Sequence, residues 1–409
     1  MANRALLLAA LADGPSTLTD LPLDARDIQL MMAALRSLGV RCEIDVVTQA
    51  THVFPGELRG PADIDCGLAG TVMRFLPPVA ALARGDIRFD GDARARERPM
   101  ATSISALKEL GIEVSTESSL ALPFTIHADG EVSGGSVTLD ATSSSQFVSA
   151  LLLPGRCFRE GISVHHHGGA VPSLPHIEMT VRMLQEHGVP VTVDTTDPTD
   201  ATWSIESGVI EARDRKIEPD ISNSLPFAAA ALVTGGSVEI AGWPPVGLQP
   251  VAAVRDLLNE LGANTVLSDT GLTVQGTGEI NGIDRDLSDL GELVPNVVAL
   301  CALATGPSKL SGISHIAGHE TDRLKALATE LNRLGGSVSA KSDGFEIHPV
   351  KLSGGDWHTY RDHRMATTGA IIGLRVPDVR IENIGTTGKT FPEFPRIWQD
   401  LVTGSNTVV

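Results

Sequence analysis

The chain is poor in aromatic residues, in positive charge and in sulfur. Phe, Trp and Tyr make up 4% of its 409 residues, with a single Tyr. Its cores must therefore be filled by Ala, Leu, Val and Ile. Lys and Arg number 32 against 50 Asp and Glu, a formal net charge of −18. That charge excludes a general binder of nucleic acid or anionic membrane, but not a local cationic cleft for a small anion. No apolar run reaches the roughly 20 residues of a membrane span. No basic stretch precedes the short apolar start at Ala5–Leu8, so a signal peptide is not expected either. The four cysteines, Cys42, Cys66, Cys157 and Cys301, are scattered and form no CxxC. They read as free thiols in a reducing compartment, and a cytoplasmic location is expected.

Glycine, in contrast, is abundant, at 41 residues, and it recurs with a period. An Ala/Leu-rich segment, a turn and a β-like stretch return around Gly14, Gly85, Gly161, Gly236 and Gly306, and again around Pro377, at spacings of 70 to 76 residues. A second signature, of the form LRSLGV, trails each of the first five at Gly39, Gly111, Gly188, Gly262 and Gly335. The sixth copy ends its helix near Leu401 without the glycine. Each copy reads as strand, buried helix, strand, amphipathic helix, strands, since glycine just past a last turn stops a helix. Six copies pack naturally as three plus three. The boundary is placed near Arg213, giving halves 1–213 and 214–409. In copies two to six a strand and turn precede the buried helix; in copy one the chain starts on the helix at Met1, so that strand is expected to be missing there.

The starts of the buried helices read Asn3-Arg4, Gly70-Thr71-Val72-Met73-Arg74, Ser143-Ser144-Ser145-Gln146, Asn223-Ser224, Asp289-Leu290-Gly291-Glu292 and Asp362-His363-Arg364. Small polar residues at such positions are first of all N-caps. Three of the six starts, however, carry an Arg, and helix N-termini attract anions. If the helices of each half run the same way, their starts converge on the interface between halves as an anion site. Further basic candidates sit in turns: Arg94, Arg96 and Arg98, then Arg323, then Lys389. A charge in a loop is usually a solvated surface group, and Arg98 and Arg323 each have an acid close by, Glu97 and Glu320, with which a bidentate ion pair is a further expectation.

Three motifs are set aside. NIGTTGKT at 383–390 has Asn383 where a Walker A loop needs its first glycine, and the prolines of FPEFP deny it a following helix. His319-Glu320-Thr321-Asp322-Arg323 lacks the second histidine of HExxH. His165-His166-His167 lies in a β-like stretch, where neighbouring side chains point to opposite faces and cannot share one metal. No metal site is expected.

Taken in order, NRALLLAALADG, GLAGTVMR, ERP, SSSQF, HETDR, DHRMA and GKTFPEFP resemble the 5-enolpyruvylshikimate-3-phosphate (EPSP) synthase family, in its actinobacterial form, over essentially the whole chain. The resemblance implies an α/β (α+β) fold of two similar domains, each of three βαβαββ copies, an inside-out α/β barrel. It implies transfer of the enolpyruvyl group of phosphoenolpyruvate (PEP) to the 5-hydroxyl of shikimate 3-phosphate, with no cofactor, in a monomer. By motif, Arg98, Arg323, Arg364 and Lys389 are expected to hold PEP, with Gly70 lining its site and Gln146 reaching both substrates. Ser144, Ser145 and Ser173, helped by Arg4, are expected to bind shikimate 3-phosphate. Glu292 is the expected base for the 5-hydroxyl, with Asp289 as its alternative. Glu320 would serve proton traffic at the PEP carbon, and Asp362 and His363 would flank the leaving phosphate. His315 and His319 either touch substrate or are bystanders.

The family also carries a Lys-Ser pair in a PGSKS turn ahead of the first helix. Here Met1-Ala2 stand before Asn3-Arg4, so the resemblance implies a weakened catalyst. UDP-N-acetylglucosamine enolpyruvyl transferase resembles the same fold and chemistry, but uses a cysteine in the loop that is GDARARERP here. The RNA 3′-phosphate cyclases share related copies, and the acidic charge speaks against them. A chain that binds shikimate 3-phosphate without turnover is the non-enzyme alternative.

Overall fold

The computed structural model describes residues 1–117 and 120–404. The chain divides into two compact units, residues 1–217 and the chain from Glu218 onward. In the first unit, copy one comprises α1 (Ala2–Leu11), β1 (Ser16–Thr19), α2 (Arg26–Ser37), β2 (Arg41–Ile44) and β3 (Thr51–Phe54). Copy two comprises β4 (Ala62–Asp65), α3 (Gly70–Ala80), β5 (Arg84–Asp90), the short α4 (Ala93–Glu97), α5 (Ala101–Glu109), β6 (Glu113–Thr116) and β7 (Phe124–Asp129). Copy three comprises β8 (Gly135–Leu139), α6 (Gln146–Gly155), β9 (Ile162–His167), α7 (Leu174–Glu186), β10 (Thr192–Asp194) and β11 (Asp200–Ile205), and is followed by β12 (Arg215–Lys216).

The second unit repeats the plan. Copy four has α8 (Ile221–Thr234), β13 (Ser237–Ala241), α9 (Val251–Glu260), β14 (Asn264–Leu267) and β15 (Gly271–Gln275). Copy five has β16 (Asp284–Asp286), α10 (Val294–Ala302), β17 (Ser308–Ser311), α11 (Arg323–Arg333), β18 (Ser337–Lys341) and β19 (Gly344–His348). Copy six has β20 (Gly355–Trp357), α12 (His363–Gly373), β21 (Val379–Ile381) and α13 (Phe394–Val402), and no closing hairpin among the described residues.

A complete copy makes one four-stranded sheet. Its first two strands are parallel, joined through the buried helix, and a hairpin adds two antiparallel strands, as in the order β4-β5-β7-β6. The first helix of each copy is the core: α3 is buried except at Thr71, and α6, α8, α10 and α12 are buried along most of their length. The second helices bury one face only. The glycines that end them, Gly39, Gly111, Gly188, Gly262 and Gly335, all have positive φ. An L side chain there would be strained, so this signature marks a real helix stop.

The structure corrects one expectation. Copy one does have a parallel partner strand: β12, with Leu18 opposite Arg215 and Thr19 opposite Lys216. Residues 214–217, assigned from sequence to the second half, thus lie in the first unit. The three-stranded sheet is that of copy four, in the order β13-β15-β14. The cause is topological. A two-residue strand carries no local signal that says which sheet it joins. All four cysteines are free thiols, and no helix among the described residues is long and apolar enough to cross a membrane.

Candidate active site

In the first unit the N-terminal turns of α1, α3 and α6 touch one another. Asn3 donates from Nδ2 to the Thr71 hydroxyl at 2.6 Å, tying α1 to α3. One turn along α3, Arg74 donates to the Gln146 side-chain oxygen at 3.0 Å and to the Ser144 hydroxyl at 3.4 Å. A Cβ on Gly70 would lie 3.0 Å from the Arg98 guanidinium and 3.2 Å from the Gln146 oxygen. The missing side chain at Gly70 thus leaves room for the Arg98 guanidinium and the Gln146 amide over the start of α3. Arg98 is buried and donates to the Leu68 carbonyl at 3.2 Å, while its Nε has no partner among the described residues. The nearby acid is used elsewhere, since Glu97 pairs with Arg94 at 2.7 Å. The ion-pair expectation therefore fails for Arg98.

Ser145 and Ser173 occupy the N-cap positions of α6 and α7, both buried, and neither makes a capping hydrogen bond. Ser173 does so with φ 53°, in the left-handed region. The N-cap expectation therefore fails for Ser145 and Ser173, whereas the Ser144 hydroxyl accepts from the Gln146 N–H at 3.3 Å, and Asp220, Asp322 and Asp362 cap α8, α11 and α12. Arg4 bridges the two serine-bearing helices. It donates to Thr180 at 2.7 Å, to the His176 carbonyl at 3.0 Å and to Ser149 at 3.4 Å, and lies over the Phe75 ring. These partners are all neutral, and burial pushes the Arg4 guanidinium down to about 10. The first unit thus gathers Arg4, Gly70, Arg74, Arg98, Ser144, Ser145, Gln146 and Ser173 around helix starts.

In the second unit the centre is Arg323, which is fully buried. Its Nε donates to Asp362 at 2.8 Å, and one terminal nitrogen donates to Glu320 at 2.9 Å and Asp362 at 3.2 Å. The other donates to Glu292 at 3.1 Å and to Nδ1 of His319 at 2.7 Å. Burial alone would lower this guanidinium, but Asp362, Glu320 and Glu292 outweigh it and push it up. Lys389, from the 3₁₀ turn before α13, reaches the other oxygen of Glu320 at 3.1 Å. Asp362 also caps α12 by accepting from the Arg364 backbone at 2.8 Å. The Arg364 side chain, buried in turn, donates to the Ser222 carbonyl at 2.8 Å and the Asn223 oxygen at 3.1 Å, and its Nε has no partner among the described residues.

Burial raises Glu292, yet the positive charges of His319, when protonated, and of Arg323 hold it well below the usual carboxylate range. Burial pushes His319 down to about 3, so its ring is neutral and its Nδ1 accepts from Arg323. His363 is driven well below its ordinary value by burial, then by Arg364 and Lys389. His315 lies against Gly291 and edge-on to His319, lowered by burial. The carboxylate that reaches Arg323 is Glu292; the alternative, Asp289, is exposed.

Two residues of the network escaped the sequence reading as site residues, Arg74 and Asn223. Both stand in helix starts already singled out, and only the fold shows that their side chains turn toward Gln146 and Arg364. His165-His166-His167 alternates in burial along β9, with His166 inside and His167 exposed. Among the described residues no cluster suited to a metal ion is found.

Residues 1–398 match the EPSP synthase (3-phosphoshikimate 1-carboxyvinyltransferase) family. A 3-phosphoshikimate 1-carboxyvinyltransferase of Kocuria rhizophila is 49% identical over 416 aligned positions, spanning 98% of this chain and 91% of that protein. Two structures of EPSP synthase from Acinetobacter baumannii align over all of this chain and 93% of theirs, at 22% and 21% identity with TM-scores of 0.77 and 0.74, and share its fold. The six copies, the helices that start at serines and the carboxylate-ringed arginine thus belong to a chain of the EPSP synthase family.

Proposed function

We propose that this chain transfers the enolpyruvyl group of PEP to the 5-hydroxyl of shikimate 3-phosphate. In that reaction the 5-oxygen adds to C2 of PEP as the methylene takes a proton to become a methyl. Phosphate then leaves as the methyl returns a proton. The observation that carries the reading is Arg323 held by three carboxylates with Lys389 alongside, because it joins anion binding to proton transfer at one point.

An anion can reach Arg323 only by displacing one of its partners. Asp362 and Glu320 are 0% and 8% exposed, whereas the Glu292 side chain is 32% exposed. Glu292 is the partner free to leave. While paired it is a poor base, because the cation stabilises its ionised form. A PEP carboxylate taking that edge of Arg323 would remove the cation from Glu292 and raise its basicity at the step that needs it. Lys389 and Glu320, 3.1 Å apart, form the pair for the methylene proton. His319 and His363, both neutral, add no competing charge. Arg98 and Arg364, buried with spare donors, are the further anion holders.

Shikimate 3-phosphate falls to the serines at the starts of α6 and α7. A phosphate at the α6 and α7 starts would accept from Ser144, Ser145 and Ser173 and from free helix N–H groups, with the Arg4 charge behind them. The test is phosphate release with both substrates present. Arg98→Ala and Arg364→Ala should each raise the KM for PEP, by about 2–4 kcal/mol in transition-state terms, and leave the KM for shikimate 3-phosphate little changed. Equal loss for both substrates rejects the assignment.

A further inference from the structure

The loop from β8 to α6 carries Ser144 and Ser145, and the loop from β9 to α7 carries Ser173. Each loop supplies serines to the proposed phosphate cradle, so the distance between the loops fixes the cradle's width. One buried side chain spans that distance. His166 is 0% exposed, near the end of β9. Its Nδ1 accepts from the Ala141 backbone N–H at 3.0 Å, three residues before Ser144. Its Nε2 meets the Gly169 carbonyl at 2.8 Å, four residues before Ser173. A backbone N–H can only donate and a carbonyl can only accept, so the ring is neutral with its proton on Nε2.

The surroundings leave the loops no slack at this point. The Thr142 hydroxyl also donates to the Gly169 carbonyl, at 3.2 Å. A Cβ on Gly168 would fall 2.6 Å from an Asp140 oxygen, and one on Gly169 would fall 2.9 Å from the Thr142 methyl. The Gly168-Gly169 pair therefore lets the second loop lie directly on the first. The contact is narrow, and His166 is the side chain that holds both backbones with directional bonds.

We propose that His166 is a positioning residue for shikimate 3-phosphate. Its two ring nitrogens clamp the Ala141 and Gly169 backbones and so set the spacing of Ser144 and Ser145 against Ser173. The proposal rests on the reading of those serines as the phosphate cradle. It gives the histidine run a role that needs no metal. Of the three histidines, only the inward-facing one takes part.

The experiment is calorimetric titration of shikimate 3-phosphate, with steady-state KM values for both substrates, on the full chain. Removing both ring bonds in His166→Phe should weaken shikimate 3-phosphate about tenfold or more, since a single buried hydrogen bond is worth roughly that factor. The KM for PEP at saturating shikimate 3-phosphate, and kcat, should hardly move. His166→Gln, which keeps one acceptor and one donor, should recover most of the loss. If His166→Phe does not fold, His166→Asn keeps an acceptor near Ala141 and drops the Gly169 bond, and must show a smaller loss of the same selectivity. Unchanged shikimate 3-phosphate affinity in the folded variant overturns the proposal. So does a parallel loss for both substrates with a lower melting temperature, which marks a merely structural role. Ser145→Ala and Ser173→Ala separate the two levels. If both leave shikimate 3-phosphate binding intact, the cradle reading falls and the role of His166 falls with it. If both weaken binding while His166→Phe does not, only the role of His166 falls.

Discussion

The two units assemble their polar groups on opposite electrostatic plans. In the first, Arg4, Arg74 and Arg98 are bonded to hydroxyls, amides and carbonyls. In the second, Arg364 is held in that neutral way too, but Arg323 is ringed by Asp362, Glu320 and Glu292, with Lys389 on the outer edge. Neutral partners leave a cation's field available to an anion and involve no proton. Carboxylate partners cancel that field until one of them moves, and the one that moves becomes a base. The first plan suits holding a phosphate still; the second suits exchanging charge during a reaction. Sequence repeats made the two units similar, and the difference arises from what stands at the helix starts and in the turns beside them.

The sharpest way to break this comparison is to remove one arginine from each plan. Arg323→Ala removes the one guanidinium bonded to all three carboxylates and leaves them clustered, with Lys389 and Arg364 as the cations still near them. Stranding buried charge in this way costs about 3–5 kcal/mol of stability. Arg98→Ala removes a neutral bond to Leu68 and should cost about 1 kcal/mol. Urea denaturation of both variants at neutral pH measures the gap. Equal destabilisation would mean that the carboxylates around Arg323 are not compensated in the way described.

Glu292→Gln sharpens the comparison from the other side. The amide still accepts from Arg323 but cannot take a proton. kcat should fall by about 10²–10⁴, the usual worth of a general base, while the KM for PEP falls or holds, because Gln is a weaker competitor for Arg323. Stability should not drop, since the ring loses negative charge. A variant with full kcat would return the role of base to another group.

Much of this plan was legible in the sequence, and the illegible parts share a cause. The copies showed because glycine stops and Ala/Leu-rich helices are local signals. Glu320 with Arg323 showed because residues three apart in one tight turn lie close together. Asp362 and Glu292 reach the same arginine from 39 and 31 residues away, which no spacing rule announces. The serines were read correctly as helix starts, but whether they cap depends on backbone geometry that the composition leaves open. β12 and His166 were misjudged or set aside because their roles lie in which sheet and which loop they meet.

The loop before α12 offers a smaller effect of the same kind. Tyr360 and Arg361 both have positive φ, at 53° and 59°, just before Asp362. Their strain is offset by Glu330, buried on α11, which accepts from the Tyr360 hydroxyl at 2.6 Å and the His358 backbone at 3.0 Å. Thus α11 grips this segment at Glu330 as well as at Arg323. Glu330→Ala leaves those donors unsatisfied and should cost about 1–3 kcal/mol in stability. Part of the loss should appear as a raised KM for PEP, because Asp362 and Arg364 follow directly. A loss of stability with unchanged kinetics would confine Glu330 to folding.

The smallest expected effect separates the units by acid. Burial lowers His315, His319 and His363 in the second unit, and His187 in the first. A histidine buried neutral binds its proton more readily when unfolded, so it stabilises the fold above its ordinary value near 6.5. That contribution is lost as pH falls from there toward the native value, about 3 for His319. The depressed carboxylate of Glu292 acts only at more acid pH, since its ordinary value is 4.5. Between pH 7.5 and 5.5 each strongly lowered histidine should therefore cost about 1.4 kcal/mol. The second unit, with His319 and His363, should weaken more than the first. Hydrogen exchange followed by peptide mass spectrometry at the two pH values reads each unit separately. His319→Gln retains an acceptor for Arg323 and cannot be protonated, so it should remove its own share of the slope. If the first unit loses protection as fast as the second, or if His319→Gln leaves the slope unchanged, buried neutral histidine is not what makes the carboxylate-ringed unit sensitive to acid.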